Sequence, residues 1–135
     1  MSFVLDTSVT MAWLFEDEAT PHTEILLDRL QAEEALVPSL WSYEVGNVLV
    51  MAERRKRISE AQGRRFAELL ESLPIHIADS HTPELWGGAV IAARTHKLSV
   101  YDGAYLDLAM REGTSLATLD KALKTAARKS GVDIL

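Results

Sequence analysis

The chain of 135 residues contains no cysteine. That removes disulfides, thiolate nucleophiles and cysteine-ligated zinc, and fits any compartment that does not rely on disulfides. Long apolar runs are missing too. The hydrophobic stretches are broken by charges such as Asp6 and Glu16, well short of the roughly 20 residues a membrane-spanning helix needs. Histidine is scarce: His22, His76, His81 and His96 show no paired helical spacing, so each is read as a surface or structural residue. No basic leader or small-residue cleavage site precedes the apolar residues 3–5, and a cytoplasmic protein is expected. Repeats, low-complexity runs and linkers are lacking, and the length suits a single domain spanning 1–135.

Positive charge is in short supply. Fourteen Lys and Arg face 20 Asp and Glu, for a net charge of −6. Taken alone, this argues against a nucleic-acid partner, because phosphate binding depends on neutralising cations. The distribution qualifies the sum. Arg54, Arg55, Lys56, Arg57, Arg64 and Arg65 form one basic patch on an otherwise acidic body. It reads either as a solvated helix end or as a guide for a phosphate backbone.

What the chain has in quantity is strand-like and helix-like segments in alternation. Short apolar runs at 3–5, 35–37, 75–77 and 115–117 are separated by long helical patterns, and a last short run at 133–135 ends the chain. Such alternation predicts an α/β fold, a three-layer α/β/α sandwich around a mostly parallel sheet of four to five strands. Local punctuation agrees. Pro38 and Ser39 open one helix, Ile58 and Ser59 separate it from the next, and Pro74 ends that one. Thr82, Pro83 and Glu84 supply cap, first-turn proline and acid for another, while Gly113 and Gly131 close the last two.

In open parallel sheets, functional groups gather beyond the carboxyl ends of the strands. Asp6 directly follows the first strand and Asp120 the fourth. Glu44 lies early in the helix after the second, and Asp102 at or near the start of the helix leading into the fourth. Asp6 reads either as a cap of the helix carrying Met11, Trp13 and Leu14, or as a ligand, with the hydroxyls of Thr7 and Ser8 holding its carboxylate or a metal-bound water. Glu44 lies about 80° from the buried stripe of Trp41, Val45, Val48 and Ala52, at roughly 100° per residue. It therefore flanks the core with no Lys or Arg within a turn, and Asn47 shares that flank. On the later helix, Asp102 lies within about 40° of the apolar face, whereas Asp107 points away from it. Asp107 also precedes Arg111 by four residues, an ordinary surface ion-pair spacing, and is assigned to solvent. Asp120 is equally readable as an N-cap. The run Glu16, Asp17, Glu18 is read as a solvated loop.

These residues resemble the PIN domain, and specifically the VapC-type toxins of toxin–antitoxin pairs. The likeness covers essentially the whole chain. It rests on Asp6 followed by Thr7 and Ser8, on Glu44 with Asn47, on the string from Ser99 through Tyr101, Asp102, Gly103 and Tyr105 to Leu106, and on Thr118, Leu119, Asp120. By that resemblance Asp6, Glu44, Asp102 and Asp120 are the metal-binding and catalytic acids, with Thr7, Ser8, Asn47 and Thr118 supporting them. Gly103 stands where such proteins more often have alanine, with little consequence expected. Hard oxygen ligands select Mg²⁺ or Mn²⁺. The implied activity is endoribonucleolytic hydrolysis leaving a 5′-phosphate and a 3′-hydroxyl, the basic patch guiding the RNA. The implied partners are a cognate antitoxin and a second copy of the chain in a homodimer. A module that binds an ion or a basic partner without turnover is the alternative. A phosphoaspartyl enzyme would want a second aspartate where this chain has Ser8.

Overall fold

A computed structural model of the chain describes residues 1–79 and 81–135. Four strands, β1 (Ser2–Leu5), β2 (Glu34–Val37), β3 (Ile75–Ile77) and β4 (Ser115–Ala117), form one parallel sheet in the order β3-β2-β1-β4. Phe3 pairs with Ala35 and Ser115, and Leu36 with His76. The central strand is apolar without alternation because both its faces are covered, and Phe3, Val4 and Leu5 are wholly buried. The run at 133–135 makes only a single parallel bridge, Leu116 with Ile134, instead of a full fifth strand.

The helices are α1 (Thr7–Ala12), α2 (Pro21–Arg29), α3 (Leu40–Arg54), α4 (Glu60–Ser72), α5 (Thr82–Glu84), α6 (Val90–His96), α7 (Val100–Glu112) and α8 (Lys121–Lys129). A π-helical turn, Leu85–Ala89, joins α5 to α6. α7 packs on β1 and β4, with α6 and the π turn against its outer side, while α3 packs on α1 and α4. The sheet flanked by helices is the sandwich that strand alternation predicted. Among the described residues no helix is long and apolar enough to cross a membrane.

Capping chemistry sets the boundaries. Ser59 and Gln62 exchange side-chain and backbone hydrogen bonds at the start of α4. Ser99 caps α7 by accepting from the Asp102 N–H at 3.1 Å, and Gly113 ends it at a positive φ of 62°. Thr82, expected as the cap, is instead the first residue of α5: His81 holds the N-cap position, and its N–H donates to Glu84 at 3.1 Å.

Two expectations about α7 need correction, and one neighbour accounts for both. The π turn carries Gly87 and Gly88, and it brings that segment's backbone onto α7. At Gly103 a Cβ would stand 2.4 Å from the Ala89 carbonyl oxygen and 3.3 Å from the Ala93 nitrogen. Glycine is therefore required there by the close approach of two backbones, and alanine is not a neutral replacement. Asp107 makes its ion pair with Arg111 at 2.8 Å, but it is not in open solvent. Its side chain is only 13% exposed, and its carboxylate lies over Gly88, where a Cβ would meet Oδ1 at 2.3 Å.

Candidate functional site

Asp6 leaves the central strand at the carboxyl edge, and its N–H donates to the Ala117 carbonyl at 3.0 Å, carrying the β1–β4 ladder one residue further. It occupies the N-cap position of α1, yet its side chain makes no cap hydrogen bond. Instead Oδ2 accepts from Ser8 Oγ and from Thr118 Oγ1, both at 2.7 Å. The residue is 6% exposed. Burial pushes its carboxyl above the usual carboxylate range and the Asp120 charge adds to this, while the two hydroxyls and the Thr7 backbone N–H oppose it.

Glu44 is held in a different way. Its Oε1 accepts from the Tyr105 hydroxyl at 2.5 Å and from Thr7 Oγ1 at 3.1 Å, and the two hydroxyls stand 2.9 Å apart. Burial raises the Glu44 carboxyl, with Asp6 contributing repulsion, and these two hydrogen bonds pull it back. The Tyr105 phenol is pushed far up by burial and by its bond to Glu44, so it acts as a fixed donor. Of the two hydroxyls expected to hold Asp6, Ser8 does so and Thr7 serves Glu44.

Asp102 sits in the first turn of α7. Burial raises its carboxyl first, then the charges of Asp6, Asp120 and Glu44, against a hydrogen bond from Ser99. Asp120 caps α8, Oδ2 accepting from the Leu123 N–H at 2.9 Å, while its own N–H donates to Thr118 Oγ1 at 3.1 Å. The structure thus brings four carboxylates from separate stretches within reach of one another's charge.

An acidic cluster of this kind is unfavourable unless a cation compensates. Its donors are all hard oxygens, which fit Mg²⁺ or Mn²⁺ better than zinc or copper. Among the described residues no three acidic or histidine side chains converge tightly enough to hold an ion as they stand. With Oε1 of Glu44 and Oδ2 of Asp120 engaged as described, the other oxygen of each carboxylate is the one left to a ligand.

Comparison with known proteins identifies the fold on which these acids stand. Residues 3–129 match the PIN domain. The chain belongs to the PIN-domain family. Ribonuclease VapC3 of Pyrobaculum aerophilum is 32% identical over 127 residues, 91% of this chain and 92% of that protein. Among solved structures, PAE2754 from the same organism superposes with a TM-score of 0.73 at 22% identity, covering 99% of this chain and 83% of that one. VapBC2 from Rickettsia felis, solved bound to a DNA fragment from its promoter, gives 0.70 at 14% identity over 100% of this chain and 98% of that one. At such identities the superpositions establish the shared PIN fold.

Not every residue singled out joins the acids of this PIN domain. Asn47, one turn beyond Glu44, is exposed and makes no hydrogen bond among the described residues. The basic patch lies at the far end of α3, where Arg54 is roughly 15 Å along the axis from Glu44 at about 1.5 Å per residue. Two of its members are already in ion pairs. Arg57 pairs with Asp17 at 2.7 Å and Glu18 at 3.0 Å and stacks 3.6 Å above the Phe15 ring, and Arg64 pairs with Glu60 at 2.6 Å. Asp17 and Glu18 thus anchor the start of α4's approach and are not ligands. Tyr105 is the site residue the sequence reading missed, having been placed with the apolar stripe of α7. The available signal was its hydroxyl, since a buried tyrosine needs a polar partner and Asp102 stands three residues earlier on the same face.

Proposed function

We propose that this PIN domain is a metal-dependent endoribonuclease, the toxin of a type II toxin–antitoxin pair. What supports the reading is the set of acids at one edge of the sheet: Asp6 is buried with Oδ2 held by Ser8 and Thr118, Glu44 is held by Tyr105 and Thr7, and burial and one another's charges raise the carboxyls of Asp6, Glu44 and Asp102. Such a site gains most from a divalent ion. Likeness to a protein named a ribonuclease supports RNA as the substrate.

Asp6, Glu44, Asp102 and Asp120 would hold Mg²⁺ or Mn²⁺. The chemistry that such an ion supplies is acidification of water and neutralisation of charge on phosphoryl oxygens. The protein's own part is orientation. Ser8 and Thr118 fix one Asp6 oxygen, Tyr105 and Thr7 fix one Glu44 oxygen, and the α8 N-terminus fixes one oxygen of Asp120. The family resemblance implies products with a 5′-phosphate and a 3′-hydroxyl. The exposed Arg54, Arg55, Lys56 and Arg65, with Arg57 and Arg64, would attract the RNA backbone some nucleotides away from the cut.

The test is cleavage of a mixed RNA pool with end mapping, in chelator and after Mn²⁺ is restored. Cleavage that requires Mn²⁺ and is lost in folded Asp6→Asn and Asp102→Asn proteins is expected. Turnover by both variants at the wild-type rate would sink the mechanism, and binding of Mn²⁺ without any product would favour a non-catalytic module. A cognate antitoxin is expected to suppress both cleavage and the growth defect caused by expressing this chain alone. Sedimentation of the isolated protein should report a homodimer, and a monomer at tens of micromolar would remove that expectation.

A further inference from the structure

Neither residues 90–101 nor residues 121–132 contain an aspartate or a glutamate, in a chain that has 20 of them. The fold sets these two stretches side by side. The end of α6 and one face of α8 border a groove of about 580 Å³, whose lining includes Thr95, Lys97, Thr125 and Lys129 and, among the described residues, no acid. His96 fastens the two walls, its Nε2 lying 3.1 Å from the Ser130 hydroxyl. The groove starts next to the acidic centre: Ala122 in its lining is two residues beyond Asp120, a Cα separation of at most roughly 7 Å. Two cations here break local rules. Lys97 ends α6 at a positive φ of 56°, the left-handed position that Gly113 takes at the end of α7. Lys121 opens α8, where a cation opposes the positive end of the helix dipole. Neither choice favours its helix, which points to a use outside the fold.

We infer that this groove is a track for a phosphodiester backbone, in which Lys97 and Lys129 bind phosphates of the strand and Lys121 leads it from the groove to Asp120. The inference rests on the nuclease reading above and locates a surface of this chain for its substrate.

Charge favours this occupant. The protein as a whole is acidic, at −6, so a polyanion approaches only where cations are concentrated and free. The patch at 54–65 is concentrated, but Arg57 and Arg64 are held by acids, and it begins roughly 15 Å along α3 from Glu44. Lys97, Lys121 and Lys129 are exposed and form no ion pair among the described residues. They also begin beside an acid of the centre. A lysine is a point charge that binds phosphate without reading sequence, and the hydroxyls of Thr95 and Thr125 can donate to phosphate oxygens as well. Lys129 lies roughly 13 Å from Asp120 along the α8 axis. A strand lying in the groove therefore continues onto the acids, which gives a cleavable polyanion a reason to bind here.

The experiment measures binding of a fluorescent single-stranded RNA by anisotropy over a range of salt, in full-length protein with Mn²⁺ and with Asp6→Asn to silence cleavage. Lys97→Gln combined with Lys129→Gln is expected to weaken binding by roughly fivefold to thirtyfold. The slope of log affinity against log salt should become shallower by about 1.4, at about 0.7 per lost phosphate contact. Lys124→Gln combined with Arg128→Gln removes the same charge from residues that line a different recess, beside Asp133, and should stay within about twofold. Arginine at both groove positions keeps the charge and should restore binding. Lys97→Gly removes the cation and suits the left-handed backbone, so it should raise the melting temperature while it weakens binding. Thermal melts of the other variants confirm that these exposed substitutions leave the fold intact.

Glutamine variants of the groove that bind RNA as the parent protein does, including the case in which the lysines serve only an acidic protein segment, overturn the track. So does an equal loss from the two charge-matched pairs, which would reduce the effect to net charge. A Lys97→Gly protein that melts below its parent overturns it too, since the lysine would then serve the fold. Groove-dependent binding together with no cleavage by the wild-type chain would remove the nuclease reading and keep the track. Unchanged binding with Mn²⁺-dependent cleavage would do the reverse. A protein that binds no oligonucleotide at all overturns both.

Discussion

Replacing Gly103 with alanine puts a methyl carbon 2.4 Å from the Ala89 carbonyl oxygen. A relaxed carbon–oxygen contact is roughly 3.4 Å, so α7 and the turn into α6 must separate by about 1 Å. Both partners are backbone, so no side chain can swing aside. Overpacking of this kind costs about 1–3 kcal/mol, and a backbone obstacle belongs at the upper end. Against this, alanine in a helix interior gains about 1 kcal/mol over glycine. The net loss is about 2 kcal/mol. For a chain of this length that lowers the melting temperature by about 6–10 °C, at roughly 3–5 °C per kcal/mol. Gly46 is the internal control. It lies within α3, with nothing within 4 Å of a built Cβ, so Gly46→Ala should raise stability by up to about 1 kcal/mol. Urea denaturation of the three proteins reads the contrast directly. Gly103 also adjoins Asp102, so the shift in α7 should slow RNA cleavage as well. If Gly103→Ala unfolds at or above the midpoint of Gly46→Ala, the close approach of the two backbones is wrong.

Other outcomes follow from the same side chains. Tyr105→Phe keeps the ring and removes the hydroxyl that Glu44 accepts; cleavage should fall by about tenfold or more, as for other groups that orient a metal ligand. Initial rates across Mn²⁺ concentrations should show a higher half-saturating value, and an unchanged curve would refute the positioning role. In chelator, stability should depend on pH through Asp6, Glu44 and Asp102, whose carboxyls burial raises above their unfolded values. A raised carboxyl contributes stability that is fully present below the unfolded pKa, about 4, and is lost as pH rises through the folded value. Denaturation midpoints should therefore be higher near pH 5 than near pH 8, and Mn²⁺ should recover the difference at pH 8 by binding the folded state. Midpoints that rise with pH in chelator would contradict the burial of these acids. Asp6→Asn should flatten the pH profile and stabilise the metal-free protein while abolishing cleavage.

The strands were legible because a parallel sheet covered on both faces leaves its strands as uninterrupted apolar runs, as in residues 3–5. The acids were legible because each follows a strand or opens a helix, positions that topology alone sends to one edge. Helical phase put Asp102 beside the buried face of α7 and Asp107 away from it, but it could not see that Asp107 meets Gly88. That contact depends on a π-helical turn, and a Gly-Gly pair in a helical pattern does not announce one. Gly103 was misread for a related reason: the demand for glycine comes from Ala89, a residue distant in sequence. Tyr105 was hidden by its ring, which satisfies the apolar stripe, while its hydroxyl serves a residue 61 positions earlier in the chain. The run at 133–135 read as a last short strand, and it contributes one bridge, Leu116 with Ile134.

The Asp6 carboxylate is oriented by Thr118, 112 residues away, and its N–H is received by Ala117 on β4. Synthesis delivers Asp6 112 residues before Thr118. A nascent or truncated chain that stops short of β4 carries the first acid without the hydroxyl that aims it. The order of translation itself therefore delays completion of the acidic centre until nearly the whole domain has been made.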